Sequence, residues 1–121
     1  MSVKLINANG LDRRVGIALA LMRQSLGQKV TLELVAESVN LSASRLRHLF
    51  KEQTGMTPAQ YIKSLRIREA RELADETFLS VKQIRFRIGI NDASHFSRDF
   101  KNVYGATVTG YRRGKRSNRP R

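Results

Sequence analysis

Residues 31–55, TLELVAESVNLSASRLRHLFKEQTG, are written a second time in altered letters as residues 80–105, SVKQIRFRIGINDASHFSRDFKNVYG. Thr31, Leu32, Val35, Val39 and Leu41 correspond to Ser80, Val81, Ile84, Ile88 and Ile90, each 49 positions later. Phe50, Lys51, Gly55, Thr57 and Tyr61 return as Phe100, Lys101, Gly105, Thr107 and Tyr111, each 50 positions later. Matches in this order mark an internal duplication. The change of offset puts one extra residue into the second copy, around the turn Asn91–Ala93. Each copy reads as a helix of two turns, a break, and a helix of about three turns. Asn40 and Gly89 hold equivalent break positions, where a left-handed backbone is expected and where Asn and Gly tolerate it.

Outward from the repeat, the periodicity is helical throughout. Leu11, Val15, Ala18, Leu19, Met22 and Leu26 share one helical face, with Asp12 at its start and Gly27 at its end. Thr31 caps a short helix whose inner face is Leu32, Val35, Ala36 and Val39. Ser42 caps the next, which turns Leu46, Leu49 and Phe50 inward. In TPAQY, Thr57 and Gln60 form a capping box around Pro58, opening a helix through Tyr61, Ile62, Leu65, Ala70 and Leu73 to about Asp75. Ser80 and Gln83 make a second box, ahead of Val81, Ile84 and Ile88. Asp92 caps a helix with Phe96, Phe100 and Val103 inward, and a brief last helix spans Thr107–Tyr111. No strand pattern is present. The expectation is an all-α protein of about seven helices forming two subdomains, divided as a leader (1–10), a first subdomain (11–56), a linker helix (57–76), a second subdomain (77–112) and a basic tail (113–121).

Charge narrows the function. The chain has 121 residues, with 23 Lys and Arg against 10 Asp and Glu, a net +13. Six of those positives lie in the last ten residues, so Met1–Tyr111 still holds 17 basic residues against 10 acidic, a net +7. Such an excess points to a polyanion, nucleic acid first and an anionic membrane surface second. No apolar run approaches the roughly 20 residues that cross a membrane, and Met1–Gly10 lacks the apolar core of a secretory signal. Cysteine is absent, which excludes disulfides, thiolate metal sites and cysteine nucleophiles. No nucleophile–base pair or phosphate-binding Gly-rich loop stands out, so neither an enzyme nor a cofactor is expected. His48 and His95 are the only histidines and sit in different copies, which does not make a metal site.

Two short helices joined by a tight turn on a basic chain describe a helix-turn-helix, whose second helix enters the DNA major groove. That helix needs an apolar face to hold it and an opposite face of donors and acceptors for base edges. In residues 43–53, Ser44, Arg47, His48 and Lys51 share the side opposite Leu46 and Phe50, with Arg45 flanking. In residues 93–104, Ser94, Ser97, Arg98 and Lys101 do the same, with His95 flanking. The plain alternative, solvated faces of ordinary helices, does not account for their duplication on so basic a chain. The connecting helix, about 18 residues, extends about 27 Å, against about 34 Å between major-groove windows on one DNA face. A monomer reading a non-palindromic site of about 20 base pairs is the expectation.

The segments LELVAESVNLSASRLRHLFKEQTGMTPAQYI, LRIREARELA and SHFSRDFKNVYGATVTGYR carry a resemblance. Over roughly Asp12–Arg113 the chain resembles the DNA-binding domain of the AraC/XylS transcription regulators. The resemblance implies seven helices, two helix-turn-helix units, a rigid linker helix, and promoter binding that activates or sometimes represses transcription. By matching position, the first reading helix uses Ser44, Arg45, Arg47 and His48, and the second uses Ala93, Ser94, His95, Ser97 and Arg98. Ala93 falls where the family often has a longer polar side chain, reducing that contact to an apolar touch. Ser42, Lys51, Ser80, Lys82 and Lys101 fall to the phosphate backbone. The implied partners are double-stranded DNA and RNA polymerase, in the bacterial cytoplasm at the nucleoid. Helix faces around Arg13, Arg14, Lys63 and Arg66 are open to polymerase, but most exposed charges do no such thing. No membrane and no small-molecule ligand is expected in this region. Many relatives carry an effector or dimerisation domain ahead of this one, and Met1–Gly10 does not resemble it.

Three departures from the pattern bear on the second unit. Arg85 stands where Ala36 sits in the first copy, and its charge resists burial without a partner. Either its stem runs outward, or the unit packs differently and Phe86, matching Glu37, fills the vacated space. TVTGY lacks the proline of TPAQY and adds Gly110, which weakens the last helix. The second unit is therefore expected to be the less stable. Two other functions compete. A non-specific architectural or RNA-binding protein shares the charge but not two differently lettered reading faces. A helical protein-interaction module predicts no salt-dependent affinity for DNA.

Overall fold

A computed structural model describes residues 12–26 and 31–117. Among them seven helices and no strand are formed: α1 (Arg13–Gln24), α2 (Leu32–Ser38), α3 (Ala43–Thr54), α4 (Pro58–Glu76), α5 (Val81–Ile88), α6 (Ala93–Tyr104) and α7 (Val108–Ser117). The contacts divide into two units, 1–63 and 64–121, so that the boundary falls inside α4.

Each helix begins where a short polar side chain meets an orphan backbone N–H. Asp12 Oδ1 accepts from Arg14 N at 2.8 Å, Thr31 Oγ1 from Leu34 N at 3.2 Å, and Ser42 Oγ from Arg45 N at 3.1 Å. Thr57 and Gln60 exchange hydrogen bonds of 3.0 and 3.2 Å, and Ser80 and Gln83 exchange 2.8 and 3.1 Å, completing both capping boxes. The breaks also fall where expected. Asn40 has φ 58° and Gly89 φ 77°, while Gly55 and Gly105 close α3 and α6 at φ 77° and 81°. Behind each break the same backbone bond recurs, Leu41 N to Ala36 O at 2.9 Å and Ile90 N to Arg85 O at 3.0 Å. A Cβ at Gly55 would meet nothing within 4 Å. Gly55→Ala is therefore expected to cost only the left-handed backbone penalty, about 1–2 kcal/mol, measured by urea denaturation. A much larger loss would mean that a side chain is obstructed there.

In the first unit α1, α2 and α3 pack on one another through Val15, Ala18, Met22, Val35, Ala36, Val39, Leu46 and Phe50, all buried. Tyr61, from the start of α4, sets its ring edge against Phe50 at 5.6 Å and accepts from Arg23 Nε through its hydroxyl at 3.1 Å. Asp12 is a buried charged residue of this unit, at 4% exposure. Its carboxylate also accepts from Arg14 Nε and Nη2 at 3.1 and 2.9 Å, and its N–H donates to Gln53 Oε1. The Gly27 that was expected to end α1 lies outside the described residues; α1 closes earlier, at Ser25.

The second unit is built around Ile67, Ala70, Ala74, Ile84, Ile88, Phe96, Phe100 and Val108, with Tyr104 and Tyr111 packed against them. Phe100 lies 5.9 Å from Phe96, 4.9 Å from Tyr104 and 5.8 Å from Tyr111, ring centre to ring centre. Arg71 stacks over Tyr104 at 5.5 Å. Two expectations need correction here. Val103 is not inward but 61% exposed; its neighbour Tyr104 packs against the core in its place. Phe86 does not fill space beside Arg85; it is 83% exposed. Arg85 instead runs outward, half-buried along its stem, and donates through Nη1 to the Asn91 carbonyl at 2.7 Å.

The last helix is also longer than Thr107–Tyr111, continuing to Ser117 through part of the stretch expected to be tail. It is held by tertiary bonds rather than by propensity. Arg112 donates to the carbonyls of Ala74, Thr77 and Leu79 at 3.2, 3.2 and 2.6 Å, collecting acceptors from the last turn of α4 and from the connection that follows it. Tyr111 donates to Asp75 Oδ2 at 3.2 Å, and Lys115 Nζ lies 2.7 Å from Asp75 Oδ1. Burial alone would raise the Asp75 carboxyl, but the Lys115 and Tyr111 hydrogen bonds outweigh it and hold it below the usual range.

Candidate nucleic-acid interface

The reading faces follow from the helix geometry. Residues i, i+3, i+4 and i+7 share one side of a helix, so burying Leu46 and Phe50 of α3 turns Ser44, Arg47, His48 and Lys51 outward. All four are exposed, as is Arg45 on the flank. Burying Phe96 and Phe100 of α6 does the same for Ser94, Arg98 and Lys101, with Ala93 and His95 exposed and Ser97 half-buried. Ser44, Arg47 and His48 thus share one solvent-facing side of α3, and Ser94 and Arg98 one of α6, with Arg45 and His95 on the flanks and Ser97 half-buried.

The phosphate candidates are exposed too, but two of them have a structural task. The Ser42 and Ser80 hydroxyl oxygens already accept from the N–H groups of Arg45 and Gln83. Each hydroxyl still has its own proton to donate. Lys82 lies in the first turn of α5, and Lys51 and Lys101 lie in the last turns of α3 and α6, where a cation complements the helix dipole.

Around α3 the structure adds two residues that were not among the candidate DNA contacts. An open groove is lined by Ser44, Arg47, His48, Lys51, Glu52 and Thr57. Glu52 follows His48 by one helical turn, a spacing legible in the sequence. Thr57 comes from the start of α4, and only the fold brings it there.

At α6 the entry is electrostatic. Asp92 Oδ1 accepts from His95 N at 2.8 Å, and its other oxygen lies 3.9 Å from His95 Nδ1. That backbone hydrogen bond, with His95 and Arg98 nearby, holds the Asp92 carboxyl below its ordinary value despite the opposing effect of desolvation. A depressed carboxyl contributes stability above its unfolded value, about pH 3.9, and loses it as pH falls through the folded value. Asp92→Ala is expected to lower the melting temperature at neutral pH, with the gap to the parent closing as pH falls below about 4. A gap that persists unchanged in acid would show that the charge plays no part.

The faces considered for polymerase are less available than their letters imply. Arg14 commits its guanidinium to Asp12, and Arg66 is half-buried, with desolvation lowering its pKa. Among the described residues no three His, Cys, Asp or Glu side chains are placed to hold a metal ion, and no helix is long and apolar enough to cross a membrane.

A family model described as a helix-turn-helix domain matches residues 35–114, spanning both copies of the repeat. The chain belongs to the AraC/XylS family of DNA-binding domains. Among curated relatives, it is 33% identical over 109 residues to the HTH-type transcriptional activator RhaS of Escherichia coli strain SE11. That match takes in 90% of this chain and 39% of the relative, so the chain spans well under half the length of the relatives it matches. Two solved structures share the fold. One is the C-terminal domain of AraT, a response regulator from Geobacillus stearothermophilus, with TM-score 0.79 and 30% identity over 86% of this chain and 87% of that one. The other is a transcriptional regulator with an AraC-type DNA-binding domain from Chromobacterium violaceum, with TM-score 0.82 and 28% identity over 94% and 100%.

Proposed function

We propose that this AraC-type domain is a sequence-specific regulator of transcription that inserts α3 and α6 into adjacent major-groove segments of double-stranded DNA. The observation that carries the reading is the duplication of one arrangement, a capped helix held by two buried side chains and presenting a polar outer face, with different letters on that face in each copy. Arg47 and Arg98 are the residues with the geometry to bond a guanine bidentately. Ser44, His48, Ser94, His95 and Ser97 supply shorter and less restrictive contacts, Arg45 reads from the flank, and the Ala93 methyl suits a thymine methyl. Ser42, Lys51, Ser80, Lys82 and Lys101 neutralise or bond phosphates on either side.

The relatives named as transcriptional activators support contact with RNA polymerase and action in the bacterial cytoplasm, at the nucleoid. Arg13 is the exposed candidate for that contact on α1. The reading is tested by binding a specific and a scrambled duplex across a salt series. Both affinities should fall as salt rises, with discrimination between them surviving. Equal affinity for both duplexes at every salt concentration would favour the architectural reading. Salt-insensitive binding would remove both nucleic-acid readings.

A further inference from the structure

The two copies differ most where the first helix of each pair meets the turn into the reading helix. In the first copy that position is Ala36, buried and without a side-chain donor. In the second it is Arg85, and the turn that follows is one residue longer. Both copies keep the same backbone bond, from Leu41 N to Ala36 O and from Ile90 N to Arg85 O. Only the second adds a side-chain bond, from Arg85 Nη1 to the Asn91 carbonyl at 2.7 Å, within the lengthened turn. We infer that Arg85 is a positioning residue that compensates for the inserted turn residue by clamping the main chain from which α6 departs.

The inference rests on α6 being a reading helix. Asn91 is followed directly by Asp92, the cap of α6, and then by Ala93, Ser94 and His95, the first candidate readers. A loose peptide at Asn91 would therefore be transmitted to the reading side chains with no flexible residue between. Base-edge recognition requires such groups to be held within about 0.5 Å. The fold itself does not ask for an arginine here, because alanine serves the equivalent place in the first unit. Retention has a cost, since Arg85 Nε is buried without a hydrogen-bond partner.

Arg85→Met keeps an unbranched stem and removes every donor, while Arg85→Lys keeps a single charged donor. Both are compared with the parent on a panel of duplexes carrying single base changes, after selection has located the segments read by α3 and by α6. Discrimination in the α6 segment should fall about fivefold in Arg85→Met, the worth of one hydrogen bond, and by less in Arg85→Lys. Discrimination in the α3 segment, affinity for random duplex and helix content should stay at parental values. Parental discrimination retained by Arg85→Met overturns the inference alone. An equal loss on every duplex also overturns it, by making Arg85 a phosphate contact. A parent with no preference in an α6 segment overturns the reading of α6 and this inference together.

Discussion

Replacing Phe100 by Ala is expected to destabilise the second unit by about 3–5 kcal/mol, the range for deleting a buried aromatic ring. Phe100 is fully buried and meets Phe96, Tyr104 and Tyr111 within one cluster, so its loss opens a cavity bordered by three rings that are themselves anchored. Tyr111 is bonded to Asp75 and cannot collapse inward without breaking that bond. Small domains carry about 5–15 kcal/mol of stability in all, and a unit this size lies toward the low end. The variant should therefore lose amide hydrogen-exchange protection across α5, α6 and α7 while α1, α2 and α3 keep theirs. A loss below about 1 kcal/mol would show that the cluster repacks, contrary to the close packing described. Equal loss in both units would contradict their division at 63–64.

Arg47→Ala and Arg98→Ala are expected to act on specificity rather than on folding. Both side chains are exposed, so removal leaves no cavity. A bidentate arginine–guanine pair is worth about 1–3 kcal/mol of discrimination. Each variant should lose preference at one position of the binding site, at a different position for each arginine, while its affinity for random duplex changes little. The double variant should show nearly additive losses, because the two residues lie on different units. A uniform loss of affinity on all sequences, with one step less salt dependence, would instead make that arginine a phosphate contact.

Much of this arrangement is legible in the letters because the signals that carry it are local. Helix caps act over three residues, so Thr31, Ser42, Thr57, Ser80 and Asp92 announce their helices without knowledge of the fold. Left-handed breaks are announced by Asn40 and Gly89. Two copies of one pattern do the rest, since what is ambiguous once becomes a register when it recurs. What escapes is tertiary. The length of α7 depends on Arg112 reaching carbonyls more than 30 residues away, which no periodicity encodes. Val103 has the period of an inward residue, yet it is 61% exposed among the described residues. Ile67 and Ala74 are buried members of α4 that a face drawn through Leu65, Ala70 and Leu73 leaves out. At the interface the same division holds. Helical spacing is enough to gather Ser44, Arg47 and His48 on one side, whereas Thr57 reaches the α3 groove only through the fold.

Selection of bound duplexes from a random pool separates two sequence-reading faces from one or none. The recovered site should contain two separate conserved blocks, and Arg47→Ala and Arg98→Ala should each degrade a different one. Recovery of no motif, or of a single block degraded by both substitutions, would contradict two reading heads.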